Sequence, residues 1–256
     1  MPLIPGVEAT NALVVGANRG IGLAFVNALL RDPSVATIYA TYRDRAAAAA
    51  LLAIQEHQGD RLVCLPLELT QEDQIATAVQ QIQAQTPRLH WVMNCVGFLH
   101  EGDIQPEKSL RQLDLDHLTR YFQVNSISAA LLAKHLLPVL KHGDRSIFAT
   151  LSAKIGSIGD NRLGGWYGYR ASKAALNMLM RTVAIEYSRK SPKTIVVTLH
   201  PGTTDTRLSQ PFQKNVPPEQ LFSTGRTVTQ LLTVLSNLTD TDSGQFFSWD
   251  GSRLPW

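Results

Sequence analysis

Tyr169 and Lys173 stand four positions apart in Tyr169-Arg170-Ala171-Ser172-Lys173, which opens a helical stretch. Residues at that spacing share one face of a helix. A phenol is a poor proton donor or acceptor near neutrality, because its reference pKa is about 10. A nearby ammonium favours the phenolate and lowers that value. The pair therefore suits proton transfer, with Tyr169 as the acid when a carbonyl is reduced and as the base when an alcohol is oxidised. The same spacing occurs on ordinary helix surfaces, so the pair alone does not define a site.

A second stretch supplies a partner for that chemistry. Ala12 to Val15 is an apolar run that reads as a buried strand, and Leu23 to Leu30 reads as a helix. Between them lie Gly16, Ala17, Asn18, Arg19, Gly20, Ile21 and Gly22. Strand, glycine loop and helix in that order is the context of a dinucleotide site. Gly16 can take backbone angles closed to other residues. Gly20 and Gly22 let a pyrophosphate approach the main chain and let helix and strand pack closely. Free N–H groups at the helix start then face the phosphate charge. In a Rossmann unit, an acidic residue about twenty positions further on binds the ribose. Here Arg43 occupies that neighbourhood, and Arg19 lies inside the loop. Two guanidiniums there would pair with a 2′-phosphate and favour NADP(H). Asp44 keeps NAD(H) as the alternative.

The elements that must position these groups alternate. Strands are expected at 36–42, 61–67, 89–94, 145–151, 194–199 and 245–249, besides the first. Pro66 implies that the third ends early or lies at an edge. Helices are expected at 46–58, from Thr70 and Glu72 to Gln85, at 107–140, from about Gly168 to Arg189, and at 220–238. This alternation predicts an α/β chain of Rossmann type: a doubly wound, mostly parallel seven-stranded sheet with helices on both faces. The whole chain, 1–256, reads as a single dinucleotide-binding domain. Residues 203–223, with Pro211, Pro217 and Pro218, read as a lid or binding segment.

Composition narrows the classes. The apolar share of 44% supports a real core. The net charge is only +3 and no run of Lys or Arg is present, so charge does not imply nucleic acid. Cys64 and Cys95 each lie in apolar runs and read as buried free thiols in a reducing compartment. With no leader-like start and no apolar run of membrane-spanning length, a cytoplasmic protein is expected. No metal is expected, because the seven histidines are scattered without ligand spacing. The Gly-x-Ser-x-Gly elbow of α/β hydrolases is absent.

Taken together, Gly16-Ala17-Asn18-Arg19-Gly20-Ile21-Gly22, Asn94-Cys95-Val96-Gly97, Asn125, Tyr169 to Lys173 and Pro201-Gly202 occur in an informative order. The chain resembles the short-chain dehydrogenase/reductase family over essentially its whole length. Gly164 to Asn177 and the ending Trp249 to Trp256 resemble its C-factor-like branch, which also includes carbonyl reductases. The resemblance implies roles. Lys173 binds the nicotinamide ribose and tunes Tyr169, and Asn125 holds a relay water. Asn94, Val96 and Gly97 support the cofactor-side strand ends, with Cys95-Val96 varying the usual Asn-Ala-Gly. Glu68, with Leu69, lies where the adenine is met. Thr204 and Thr206, after Pro201-Gly202, reach the carboxamide or the phosphates. The resemblance also implies a homodimer or homotetramer; the apolar helix Ser128 to Leu140 agrees with that, though burial under a loop would explain it too.

One position departs from the family. A serine that polarises the substrate carbonyl usually stands three residues before the glycine after strand five, and here that place is Ala153. Ser152 is its neighbour and Ser157 lies just past Gly156. Ser152 is taken as the substitute, which requires a bulged or shifted strand end because adjacent strand residues point to opposite faces. Otherwise Ser157 substitutes, or Tyr169 acts alone. The expected activity is NADP(H)-dependent reduction of an aldehyde or ketone. The alternative is a cofactor-binding regulatory or signalling protein with little turnover. Phe98, Leu99, Ile155, Trp166, Leu208 and Phe212 suit either an apolar substrate or lid packing.

Overall fold

Nine strands and seven helices follow one another along residues 3–256, which the computed structural model describes. The first half runs β1 (Thr10–Val15), α1 (Gly20–Leu30), β2 (Val35–Tyr42), α2 (Ala49–Glu56), β3 (Leu62–Pro66), α3 (Glu72–Gln85) and β4 (Trp91–Asn94). The second half runs α4 (Leu115–Phe122), α5 (Ser128–Leu140), β5 (Ser146–Leu151), α6 (Tyr167–Lys190), β6 (Thr194–His200), β7 (Thr203–Thr204), β8 (Leu221–Phe222), α7 (Thr224–Ser236) and β9 (Phe246–Ser248).

Seven strands form one sheet in the order β3-β2-β1-β4-β5-β6-β9, and every pairing in it is parallel. Parallel strands need helical crossovers, which cover both faces and bury the strands. Trp91 and Met93 of β4 accordingly enter one core with Phe25 and Leu29 of α1 and Leu231 of α7. Val92, between them, enters the other, with Ile75 of α3, Leu132 of α5 and Leu176 of α6. The strand order reverses between β1 and β4. Ligands of open parallel sheets bind beyond the strand C-termini at such a reversal. Val15 and Asn94 are the last paired residues of β1 and β4, so the glycine loop and the Asn94–Gly97 segment emerge side by side.

The expected doubly wound sheet is the one observed. Pro66 both ends β3 and lies on an edge strand, where its missing N–H costs least. Three expectations need correction. The helical region at 107–140 does not begin at Glu107: a single 3-10 turn, Leu110–Gln112, precedes α4, whose start is fixed by Asp114 accepting from His117 N. A π-helical turn, Gln123–Ile127, then separates α4 from α5. The helix expected from 220 starts at Thr224, because Leu221 and Phe222 pair with β7 instead. The apolar residues of α5 do not form an outer face. Leu132, Leu136, Val139 and Leu140 are spent on the chain's own core.

Candidate active site

The glycine loop after β1 is shaped by close approach. A Cβ on Gly16 would lie 2.9 Å from Val96 Cγ2, and one on Gly22 would overlap the Gly16 carbonyl oxygen. Arg19 is the N-cap of α1 and gives its first turn no side-chain hydrogen bond, so those N–H groups suit an anion. Arg43 and Arg207 lie close enough to Arg19 to lower its pKa, after burial, while Glu101 opposes them. This cluster of like charge fits a phosphorylated ligand. Arg43 is half-exposed and already pairs with Glu101 at 3.2 Å, with Glu68 3.9 Å away. Arg207 was not singled out in the sequence, because no local spacing ties it to the loop 188 residues before it.

Other sequence candidates distribute unevenly. The Asn94 side chain accepts from Val96 N at 3.1 Å and sets the turn leading to Gly97. Thr206 Cγ2 would stand 3.3 Å from a Cβ on Gly20, so the chain after β6 returns to the glycine loop. Pro201 and Gly202 make the turn out of β6. Glu68 accepts from the N–H and hydroxyl of Thr70. The Leu69 side chain is buried in the core beneath α3, leaving only its main chain for a ligand. The Thr204 hydroxyl faces inward, 2.8 Å from Thr227 Oγ1 of α7.

Tyr169 and Lys173 sit on the buried face of α6. Lys173 is 2% exposed and donates to the Leu151 carbonyl at 3.0 Å, with its Nζ 5.9 Å from the Tyr169 ring centroid. Burial pulls the Lys173 ammonium down to about 8, since desolvation disfavours the charged form. Burial pushes the Tyr169 phenol up from its ordinary value, the reverse of the expected lowering by Lys173. The phenol is therefore protonated at neutral pH. Asn125 lies in the π-helical turn, the kind of helix irregularity found at functional sites. It accepts from Phe98 N at 2.7 Å and donates to Phe98 O and to Ser172 Oγ, binding the loop after β4 to α6.

Ser152 does not occupy the place anticipated for it. Its hydroxyl donates to Asn177 Oδ1 at 2.7 Å, beneath α6. β5 runs without a bulge into its last pair, Leu151 with Leu199, so alternation is kept. The Ala153 methyl packs in the Tyr169 cluster instead. The Ser157 hydroxyl accepts a turn N–H from Asp160. The same cluster gathers Phe98, Leu99, Ile155, Trp166, Leu208 and Phe212 around Tyr169. Trp166 and Phe212 meet edge to face at 4.7 Å between centroids. Trp166 holds a left-handed backbone with φ of 53°, a conformation that costs a non-glycine residue about 1–2 kcal/mol.

The short chain dehydrogenase family profile matches residues 10–217. The chain is a short-chain dehydrogenase/reductase. Among its relatives is a short-chain dehydrogenase, RED3, of Pyricularia oryzae, 29% identical over 97% of this chain and 99% of that protein. The C-signal protein of Myxococcus xanthus is 30% identical over 58% of this chain and 84% of its own. A carbonyl reductase from chicken fatty liver, solved with NADPH bound, superposes with a TM-score of 0.86 at 30% identity, covering 97% of this chain and all of that one. The family is one of NAD(P)-binding oxidoreductases acting on small molecules.

Away from this mouth, the chain brings His90, His142 and Asp144 together, a group that sequence spacing did not reveal. Its hydrogen bonds explain it without an ion. His142 Nε2 bonds the Leu89 carbonyl, His90 Nδ1 accepts from Asn11 N, and Asp144 pairs with Arg88 at 3.0 Å. Burial, then His142, pulls His90 down to about 4, so it stays neutral. Cys64 and Cys95 are free and partly buried. No helix among the described residues is long and apolar enough to cross a membrane.

Lys173 gives the protein a stability signature. Its folded value of about 8 lies below the ordinary 10.5. Between the two, the unfolded chain still holds the proton that the folded chain has lost. Stability therefore rises with pH across that window, by about 1.4 kcal/mol per unit, and is flat on either side. Lys173→Met removes this term. In cofactor-free protein, denaturant unfolding should show wild type gaining on the variant as pH rises from about 8 to 10.5. Parallel stability curves would contradict the buried ammonium.

Proposed function

We propose that this protein is an NADP(H)-dependent carbonyl reductase, with Tyr169 as general acid and Lys173 and Asn125 in support. The observation that carries the reading is the buried Tyr169–Lys173 pair of α6 at the sheet's C-terminal mouth. Lys173 Nζ would be 3.7 Å from a Cβ on Gly97, the segment beside the glycine loop. Bound NADPH would supply the hydride to the carbonyl carbon. Tyr169 gives its phenolic proton to the carbonyl oxygen as the C=O bond becomes an alcohol. Lys173, held by the Leu151 carbonyl, has further N–H donors for the ribose hydroxyls and stabilises the phenolate left behind. Asn125 ties the loop after β4 to α6 and would hold the water through which Tyr169 regains its proton. Gly16, Asn18, Arg19, Gly20, Ile21 and Gly22 cradle the pyrophosphate in this reading, and Arg19 and Arg43 face the 2′-phosphate. Arg207 joins them, and the NADPH found with the chicken carbonyl reductase supports the same cofactor.

The wall around Tyr169 is apolar and aromatic. It suits an uncharged ketone or aldehyde with an apolar body. Exposed Tyr167, Met178 and Ile185 on α6, with Leu115 of α4 and Ile127, support assembly into a homo-oligomer through this side of the chain. Ala153 carries a second reading, a cofactor-binding regulatory protein with little turnover, because a methyl group stands where a hydroxyl would polarise the substrate.

Oxidation of NADPH by a panel of aldehydes, ketones and quinones decides between the two. Tyr169→Phe should lower turnover by at least about a hundredfold while NADPH still binds. An inactive wild type that binds NADPH would favour the regulatory reading. Ala153→Ser should raise kcat by about tenfold or more, since one well-placed donor is worth that in comparable sites. No gain would mean that the carbonyl does not lie beside this residue. For the coenzyme, Arg43→Ala should weaken NADPH more than NADH in equilibrium titrations, and equal losses would speak against a bound 2′-phosphate.

A further inference from the structure

The first turn of α6 is built on an unusual contact. Trp166, its N-cap residue, is left-handed and supplies no side-chain hydrogen bond. Helix starts leave N–H groups without partners, and a capping side chain normally accepts one of them. Here the acceptor comes from a residue 61 positions away: Glu107 Oε2 takes the Gly168 N–H at 3.1 Å. The Glu107 carbonyl also accepts from Trp166 N, at 2.5 Å. One residue therefore holds both the left-handed residue and the turn that follows it.

Glu107 is 2% exposed, and its second oxygen, Oε1, has no protein partner. A buried carboxylate is retained at a cost unless it serves something. Its approach depends on glycine. A Cβ on Gly168 would stand 2.9 Å from Glu107 Oε1 and would also strike the Tyr121 ring. Tyr169 is the next residue, so a fixed Gly168 N–H fixes the direction in which the phenol leaves the helix. On the other side of this turn, Arg170 donates to the Gly165 and Ile155 carbonyls. The Trp166 indole stands edge-on to Tyr169 at 6.3 Å between centroids and to Phe212 at 4.7 Å.

We propose that Glu107 is a positioning residue for Tyr169: its carboxylate caps α6 at Gly168 while its carbonyl holds Trp166, so that the phenol and the aromatic wall keep a common register. This rests on the reading of Tyr169 as proton donor. Glu107 touches neither substrate nor cofactor in this role and acts through the main chain of α6. The requirement is an oxygen acceptor at the reach of a glutamate, not a charge.

Three variants test it. Glu107→Gln keeps an oxygen at that reach and should retain kcat within about threefold. Glu107→Ala and Glu107→Asp, the latter one methylene too short, should each lower kcat by on the order of a hundredfold, the scale of a small misplacement of a reacting group. The KM for NADPH should not move in any of them. Formate, which fits the space of the deleted carboxylate, should restore part of the rate to Glu107→Ala and do nothing for wild type. A general loss of fold would not be rescued by Gln or by formate. Wild-type kcat in Glu107→Asp, or a Glu107→Gln variant as slow as Glu107→Ala, would overturn the proposal. A crystal structure of Glu107→Ala gives a readout independent of the chemistry: the Gly168 N–H should lose its acceptor and the Tyr169 phenol should be displaced. If Tyr169→Phe proved fully active, the proton-donor reading would fall, and that structure would still judge the clamp. An unmoved phenol would refute it.

Discussion

An ammonium removed from water is the constraint on which this active-site region depends. Lys173 is wholly enclosed, and burial of a lone charge is among the costliest things a fold can do. The Leu151 carbonyl offers one acceptor for three N–H donors. The fold tolerates this because Lys173 lies at the mouth where β4 and β5 end, on a helix anchored along most of its length by core contacts. Leu176, Met180, Ala184 and Tyr187 hold the rest of the buried face of α6 in the lower core. Stability supplied by the second half of the helix thus supports an unfavourable arrangement in the first half. Left-handed Trp166 lies within one turn of Tyr169, and Glu107, with its unpartnered oxygen, bonds the Gly168 N–H beside it.

The same enclosure sets the proton chemistry. Desolvation moves the two groups in opposite directions, the phenol up and the ammonium down. Both shifts disfavour charge, but a value of about 8 leaves Lys173 an ammonium at neutral pH while Tyr169 keeps its own proton. In the proposed reduction, that phenolic proton is the one consumed. The pull of Lys173 on the phenol matters once negative charge develops on the phenol oxygen, because attraction between opposite charges strengthens in a low-dielectric site. In the proposed reaction the phenol thus resists ionisation beforehand, and Lys173 stabilises the phenolate as it forms.

Much of this was legible in the chain, for reasons that can be named. Strands buried on both faces read as apolar runs, such as Trp91 to Met93, and glycine punctuates the loop of the nucleotide end. Tyr169 and Lys173 were visible because one helix carries both, at a spacing that fixes their common face. What was hidden depends on long-range contact. Arg207 joins Arg19 only through the return of the chain after β6, and Glu107 meets Gly168 across 61 positions. His90, just before β4, meets His142 and Asp144 of the α5–β5 connection across more than fifty positions. The break between α4 and α5 left no trace in hydrophobic period, since a π-helical turn shifts the face by a single residue.

Ser152 shows how strictly strand geometry decides what a residue does. Sequence proximity made it the natural replacement for a missing hydroxyl, and only a bulge would have turned it toward the Tyr169 pocket. β5 keeps its register to the end, and Ser152 N donates to the Leu199 carbonyl, which continues the ladder beyond the last pair. The hydroxyl is then directed under α6, where Asn177 Oδ1 accepts its hydrogen bond. Thr150 and Thr198, paired in register and on that same face, are polar as well. The substitution at 153 is thus not compensated by a neighbour, because the Ser152 hydroxyl is engaged by Asn177, about two turns along α6 from Tyr169. An apolar methyl beside Tyr169 makes that wall continuous with Ile155, Trp166 and Phe212. In the proposed reduction, a pocket with one hydrogen-bond donor fewer and more apolar surface would favour a substrate whose carbonyl is activated by its own substituents over one that must be activated by the protein.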